Sequence, residues 1–314
     1  MARLDGRFGG RLCGRFHDVV AGDGLPRLRA RLTATAGAGF SLRQTHLLTA
    51  ALGATAGLSA GMGARLRADL SAGASLSGAV GNGFDPSDLS PLAWFDPSDL
   101  STLWKDTAGT DPVTADGDSV ARIDDRSGND YHATQATASQ RPIYKTSGGL
   151  HWLQFDGIDD FLSAPAFLDS AGMLGVLGAA IDTTGVHQAP YAQRGTLLGD
   201  TVYKNPANEF EHWYGTGAGW EIVTGDSIDA SAKVLTARRS GTTHAVRVNS
   251  TTEDTHSGGA FASTTNVFRV GSNDSGYHSA MNFYALVICA GATDDATDGA
   301  LLRTWVAAKS GVTL

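Results

Sequence analysis

The chain has 314 residues, 24 Lys and Arg against 32 Asp and Glu, and 40 Gly but only four Glu, a composition that favours β structure over helical bundles and suits one large sandwich with an accessory segment. Residues 1–90 hold 10 Arg, no Lys and 6 Asp, a net +4, whereas residues 91–314 hold 14 basic and 26 acidic side chains, a net −12, so two physically distinct regions are expected. The acidic region is a poor nucleic-acid binder, because phosphates must be neutralised by clustered Lys and Arg, and no 18-residue apolar run occurs, so neither nucleic acid nor membrane insertion is expected.

The first region is repetitive. Tetrads begin at Arg3-Leu4-Asp5-Gly6, Arg7-Phe8-Gly9-Gly10 and Arg11-Leu12-Cys13-Gly14, and a related period returns from Arg27 to Ala34 and from Gly57 to Ala72. On a strand, the large residue of each tetrad and the small one two positions later share a face, and Arg, Thr, Ser and Asp take the other. On a helix the same positions would drift by about 40° per tetrad, so a β-ribbon is expected, with helix or local disorder over Gln44 to Ala56 as the main alternative. Such a ribbon cannot bury its own apolar face, which predicts self-association or docking on a partner. The start of the chain has no apolar core of an export signal, and synthesis in the cytoplasm is expected.

At the junction, Phe84-Asp85-Pro86-Ser87-Asp88-Leu89-Ser90 is repeated eleven residues later as Phe95-Asp96-Pro97-Ser98-Asp99-Leu100-Ser101. Asp before Pro supplies an N-cap with Pro in the first helical position, so each copy predicts a short helical turn acting as a hinge or spacer. The boundary is placed near Ser90, giving an arm over 1–90 and a domain over 91–314.

In the second region, Leu150 to Leu162 reads as a core strand, a turn at Asp156-Gly157 and a return strand, a hairpin with a heavy apolar load. Further short runs, Val120 to Ile123, Met173 to Ile181, Thr196 to Leu198, Glu209 to Tyr214, Val234 to Ala237, His244 to Val248, Phe268 to Val270 and Phe283 to Cys289, make the pattern of an antiparallel sandwich. Leu301, Leu302, Trp305 and Val306 follow helical spacing, and Gly311 stands where a C-terminal cap belongs.

These residues carry a family resemblance. Phe155-Asp156-Gly157-Ile158-Asp159-Asp160-Phe161-Leu162, preceded by the stretch from Asp125 to Gln135 and by Arg141 to Tyr144, resembles the laminin-G/concanavalin-like jelly-roll domains of many bacteriophage virion proteins. The stretch from Leu92 to Trp104 is similar to that family's first strand and turn, and the closing helix to its closing helix. The resemblance implies a mainly β chain, a concanavalin-like sandwich with a C-terminal helix behind the β-ribbon arm. It implies a virion structural protein of fibre, spike or decoration type, attached to other virion proteins, forming a homotrimer through 1–90 and presenting the sandwich to a host surface glycan without performing a reaction.

Three candidate sites follow. Asp124, Asp125, Asn129 and Asp130 crowd one loop, and Asp156, Asp159 and Asp160 another; hard cations take six to eight oxygens of this kind, so calcium is a candidate although the spacing is not an EF-hand. Trp213, Tyr214, Trp220 and Tyr277, with His212, Asn273 and His278, are candidates for a sugar platform, since aromatic faces stack on pyranose rings and polar groups fix hydroxyls. The alternative is that these rings fill the core. Glu209 and Glu211 share a strand face, and paired acids about 5 to 5.5 Å apart serve retaining glycosidases, which makes a carbohydrate-active hydrolase the alternative function. In the glycosidases of this fold, however, an Asp follows the first Glu by two residues and a second Glu comes next; here Glu211 replaces that Asp and Trp213 and Tyr214 stand where the second Glu should be. Cys13 and Cys289 lack any metal-binding spacing and are expected to be free thiols, and His17, His46 and His187 read as surface or strand residues.

Overall fold

A computed structural model describes residues 84–169, 172–291 and 295–314, together with five two-residue strands in the preceding segment. Of those five, Ala21–Gly22 pairs antiparallel with Leu25–Pro26, and Leu28–Arg29, Leu48–Thr49 and Leu66–Arg67 pair in parallel, with Leu28, Leu48 and Leu66 in register. Two leucines of the repeats, Leu28 and Leu66, thus line up with Leu48, which falls inside the stretch that also admits a helix. The rest of the expected ribbon, Cys13, His17 and His46 lie outside the described residues. Chain contacts divide the molecule into Met1–Phe84 and Asp85–Leu314.

The second unit is a mainly β sandwich. In chain order its strands are β1 (Ala93–Phe95), β2 (Leu103–Trp104), β3 (Arg122–Ile123), β4 (Ala133–Thr134), β5 (Ile143–Ser147) and β6 (Leu150–Asp156). They continue with β7 (Leu162–Ala164), β8 (Met173–Ile181), β9 (Gln188–Gly195), β10 (Leu198–Lys204), β11 (Glu209–Gly215) and β12 (Trp220–Ser227). The last are β13 (Lys233–Ser240), β14 (Thr243–Val248), β15 (Asp254–Ser257), β16 (Phe268–Val270) and β17 (Ala280–Ala290), followed by helix α1 (Ala300–Ser310). One antiparallel sheet runs β5-β6-β17-β8-β13-β14-β15, with β1 also on β17, and the other runs β12-β11-β10-β9-β16-β7-β4-β3-β2. Between them lies a core that includes Phe95, Leu153, Phe155, Leu162, Phe268 and Phe283.

The apolar stretch around Asp156 is not a hairpin. Strand β6 pairs with β5 and β17 in one sheet, whereas β7 pairs with β16 and β4 in the other. The turn between them therefore carries the chain from one sheet to its opposite, and both halves are apolar because both face the same core. Gly157 makes the corner feasible: it has φ +75°, and a Cβ there would lie 2.7 Å from Ala280 Cβ. The run at Thr196 to Leu198 is likewise a turn leading into β10, with Leu197 at φ 57°.

Strand β8 is apolar at nearly every position because both of its faces are covered. Leu177 and Ile181 enter the core between the sheets, while Gly178 faces α1, where a Cβ would approach Val306 Cγ1 to 2.9 Å. Helix α1 buries Leu302, Val306 and Ala307, and ends at Gly311 with φ 69° as the sequence predicts. The two Asp-Pro copies diverge. Pro86–Leu89 is a single 3-10 turn with a capping box between Asp85 and Asp88, but in the second copy the turn starts at Asp99, which caps Leu100–Thr102. Asp96 is fully buried, accepts from Ser98, and pairs with Lys309 of α1 at 2.9 Å and Arg126 at 3.2 Å. That copy is an anchor for the closing helix, not a spacer.

Candidate functional site

Strand alternation divides the Asn-Glu-Phe-Glu-His-Trp-Tyr segment between two environments. Phe210, His212 and Tyr214 turn into the sandwich, whereas Glu209, Glu211 and Trp213 stand on its outer face. Cross-strand register sets Trp213 beside Thr201 and Ile222, and Glu211 beside Tyr203 and Thr224. The aromatic group on this face draws on five segments. Tyr203 lies 5.1 Å from Trp213 and 5.7 Å from His187, His187 lies 5.6 Å from Tyr277, and Trp213 lies 6.5 Å from Trp220. Arg194 places its Cζ 4.7 Å from the centre of the Trp220 ring.

A hydrogen-bonded layer holds these rings in place. Trp213 Nε1 donates to Glu211 Oε2 at 2.7 Å, and Glu211 Oε1 accepts from Asn205 Nδ2 at 2.7 Å and Thr224 Oγ1 at 3.4 Å. The same Asn205 amide donates to Glu209 Oε2 at 2.9 Å. Asn273, itself buried, donates to Tyr203 Oη at 2.6 Å, while its Oδ1 accepts the N–H groups of Ser275 and Tyr277. Tyr203 is pushed above the usual phenol range by burial, so it remains a neutral ring near neutral pH.

Beside Trp220 the surface opens into a cleft of about 330 Å³ lined by Ala192, Arg194, Asn266, Val267, Arg269 and Asp274, among others. Four of the exposed large apolar side chains lie on this side of the molecule: Tyr277 in the aromatic group, Ile222 beside Trp213, Val186 next to His187, and Val267 in the cleft. Such a concentration marks a contact surface more than a random scatter of apolar residues would.

Of the expected platform residues, Trp213, Trp220 and Tyr277 share this aromatic group, and Asn273 bonds Tyr203 and the Tyr277 backbone. Tyr214 and His212 do not belong to it, because both are immediate sequence neighbours of Trp213 and so fall on the opposite sheet face. Tyr214 is fully buried and stacks on His244 at 3.2 Å with rings 7° apart, and His212 pairs with buried Asp200 at 2.7 Å. His278 packs near Phe161, 6.2 Å away, and is not among the rings around Trp213. His187, Tyr203 and Arg194 were not indicated by the sequence, since their place beside Trp213 and Trp220 depends on strand pairing that a single chain does not spell out.

Behind the platform, Asp200, His212, Arg239 and His244 form a polar group sealed between the sheets. Burial alone would raise the Asp200 pKa, but His212 and Arg239 outweigh it and hold the carboxyl below its usual range. Burial and the neighbouring His212 push His244 down to about 3, so it is held neutral.

The acidic loops have different fates. Asp125 accepts from the backbone N–H of Trp94, Ser127 and Tyr131, Asp124 accepts from Trp104 Nε1 and Arg122 Nε, and Asn129 donates to the carbonyls of Pro91 and Leu92. These groups strap their loop to β1 and β2, and Asp130 stays exposed. Among the described residues, the acidic groups near enough to share an ion are Asp156, Asp159 and Asp160, whose oxygens lie within 4.8 Å of one another. Asp156 Oδ1 is committed to the turn, accepting from the N–H of Ile158 at 2.8 Å and Asp159 at 3.2 Å. Cys289 is a free buried thiol, pushed up to about 12 by burial.

No family model matches the sequence, and no curated protein matches it. Solved structures of similar architecture include the Trypanosoma rangeli sialidase in complex with the inhibitor DANA, at 12% identity and a TM-score of 0.46 over 68% of this chain and 32% of that one. The binding domain of Paraclostridial Mosquitocidal Protein 1 is similar at 7% identity and a TM-score of 0.49, over 60% of this chain and 51% of that one. The binding domain of Botulinum Neurotoxin DC in complex with SialylT is similar at 9% identity and a TM-score of 0.41, over 59% and 48% respectively. The chain spans about half or less of the length of these structures. Its own topology defines the class: an antiparallel, jelly-roll-like β-sandwich closed by a C-terminal helix.

Proposed function

We propose that the sandwich is a non-enzymatic glycan-binding module, carried on a virion structural protein of fibre, spike or decoration type whose 1–90 arm assembles with copies of itself. The observation that carries the glycan reading is the outer face of β9 to β12, where Trp213, Trp220, Tyr203, Tyr277 and His187 meet beside a cleft. Sugar rings offer flat C–H faces to aromatic groups and hydroxyls to amides and carboxylates, and both kinds of partner are present here. Support for the virion setting is the sequence resemblance and the repetitive arm.

Titration of the full chain against an array of oligosaccharides tests the module. A bound glycan should lose about tenfold in affinity, roughly 1.4 kcal/mol, with Trp213→Ala and again with Trp220→Ala, while Tyr214→Phe leaves affinity unchanged. Undiminished binding by both Trp variants would remove the platform from the account.

The hydrolase reading draws its support from Glu209 and Glu211 meeting at the Asn205 amide. Against it, both Glu211 oxygens already accept from donors of the sheet and the side chain is buried, an arrangement suited to holding Trp213. Polysaccharide turnover that disappears in Glu209→Gln would restore the enzyme.

A further inference from the structure

The cleft beside Trp220 has a charge character that the aromatic face does not explain. Cationic side chains of the sandwich are generally matched to carboxylates: Arg122 to Asp124, Arg126 to Asp96 and Asp99, Arg238 to Glu253. Arg269, like Arg141 and Lys204, is an exception. Among the described residues it pairs with no carboxylate; its Nη1 donates to the Asn273 carbonyl at 2.9 Å, its Cζ lies 4.9 Å from the Phe161 ring centre, and its Nε is buried with no acceptor. The second guanidinium of the cleft, Arg194, is shared between Asp274 at 3.4 Å and the Ser275 hydroxyl, and its Nε also lacks an acceptor. Two guanidinium groups facing one carboxylate leave the cleft with a net positive charge, on a region whose formal charge is −12.

A half-buried Arg with no carboxylate partner beside a cleft of this size suits a planar anion, because its Nη2 and the second hydrogen of Nη1 can still meet a carboxylate end-on with two parallel hydrogen bonds. The volume, about 330 Å³, sits at the small end of ligand sites and accepts one sugar residue more readily than a chain. Arg194 lies against the Trp220 ring, so a carboxylate held in the cleft would leave its own ring next to Trp220 and the following sugar toward Trp213.

We propose that this cleft is the acid-recognising subsite of the glycan module: Arg269, helped by Arg194, binds the carboxylate of an acidic sugar whose neighbouring ring stacks on Trp220. The inference rests on the glycan-binding reading and names the class of sugar it selects. The shared chemistry is a ring-borne carboxylate, which a hexuronic acid or a nine-carbon keto-acid sugar supplies.

The test titrates the full chain with three trisaccharides of the same neutral core, ending in glucuronic acid, N-acetylneuraminic acid or galactose. At least one acidic ligand should bind tenfold or more above the galactose-terminated one, and which of the two does so identifies the source of the carboxylate. Arg269→Gln should reduce that ratio to near one while leaving binding of the neutral ligand intact. Arg269→Lys should restore part of the ratio, because charge returns without the fork, and Arg194→Gln, which leaves Phe161 and Asn273 undisturbed, should lower it more modestly. Equal affinity for acidic and neutral ligands, or a ratio untouched by Arg269→Gln in a protein with unchanged melting temperature, would overturn the acid subsite and leave the aromatic platform standing. Failure to bind any of the three, or any sugar on an array, would instead overturn the glycan reading itself.

Discussion

Asp160 shows how a single residue at a sheet-to-sheet corner ties stability to pH. It is 5% exposed, and its Oδ2 accepts the Asp156 N–H at 3.0 Å. Burial, followed by the charges of Asp156 and Asp159, raises its pKa from 3.8 to about 6. The folded state therefore holds this proton more tightly than the unfolded chain, so Asp160 favours folding most below about pH 4 and loses that contribution as pH rises through 6. Asp160→Asn, neutral throughout, should be more stable than the natural protein at pH 7 by about 2 kcal/mol, and the gap should close at pH 4. Urea midpoints at the two pH values measure it, and a gap of equal size at both would refute the assignment. His244 acts with the opposite sign: its folded pKa of about 3 lies below 6.5, so its contribution is complete above about pH 6.5 and is lost as pH falls toward 3. At this scale the period-two rule was enough to set Glu209, Glu211 and Trp213 on one face. The same rule places Tyr214 on the other, where grouping it with Trp213 by proximity in sequence fails. The partners His187, Tyr203 and Arg194 were beyond reach because register, not spacing, brings them in.

Among the elements, the helix α1 was the most legible, since its apolar spacing and its Gly311 cap both agree. The hairpin reading of Leu150 to Leu162 failed for a definable reason: two apolar strands joined by a tight turn look alike whether they pair with each other or cross a sandwich, and only the partners β17 and β16 decide. The Asp-Pro duplicate is similar in lesson. Both copies obey the same local capping rules, yet the second has Lys309 and Arg126 as tertiary partners and becomes part of the interior. Trp94 adds an edge-to-face contact with Trp305 at 5.6 Å, so β1 and α1 are joined by charge and by rings. Asp96→Ala should cost about 3 kcal/mol, because it removes the buried counter-charge of Lys309 and one of the two carboxylates on Arg126, whereas Asp85→Ala, at the exposed cap of the first copy, should cost about 1. Chemical denaturation of the two variants makes the comparison, and equal losses would mean that the second copy is no anchor. The acidic loop of Asp124 to Asp130 misled for a related reason, since its oxygens satisfy the chain's own N–H groups.

For the molecule as a whole, charge and repetition already divide the chain, and contacts divide it at Phe84 and Asp85. The sandwich contains its own core and both sheets, so a protein beginning at Asp85 should fold and remain monomeric by light scattering, while the full chain should have the mass of a trimer. A monomeric full chain would remove self-association from the proposed role of the arm. What no whole-chain property announced was the sidedness of the sandwich. Helix α1 covers β8, β13 and β17, burying Leu302 and Val306, whereas on the opposite sheet Ile222 and Thr224 are exposed and Trp220 is half-buried. A module with one closed back and one open front can engage a surface in a single orientation. If the arm joins copies as proposed, a small, shallow site would hold a lone glycan weakly, and tethered copies would rebind before they could all let go, so that retention would grow as a power of the count while each contact stayed brief enough to be exchanged.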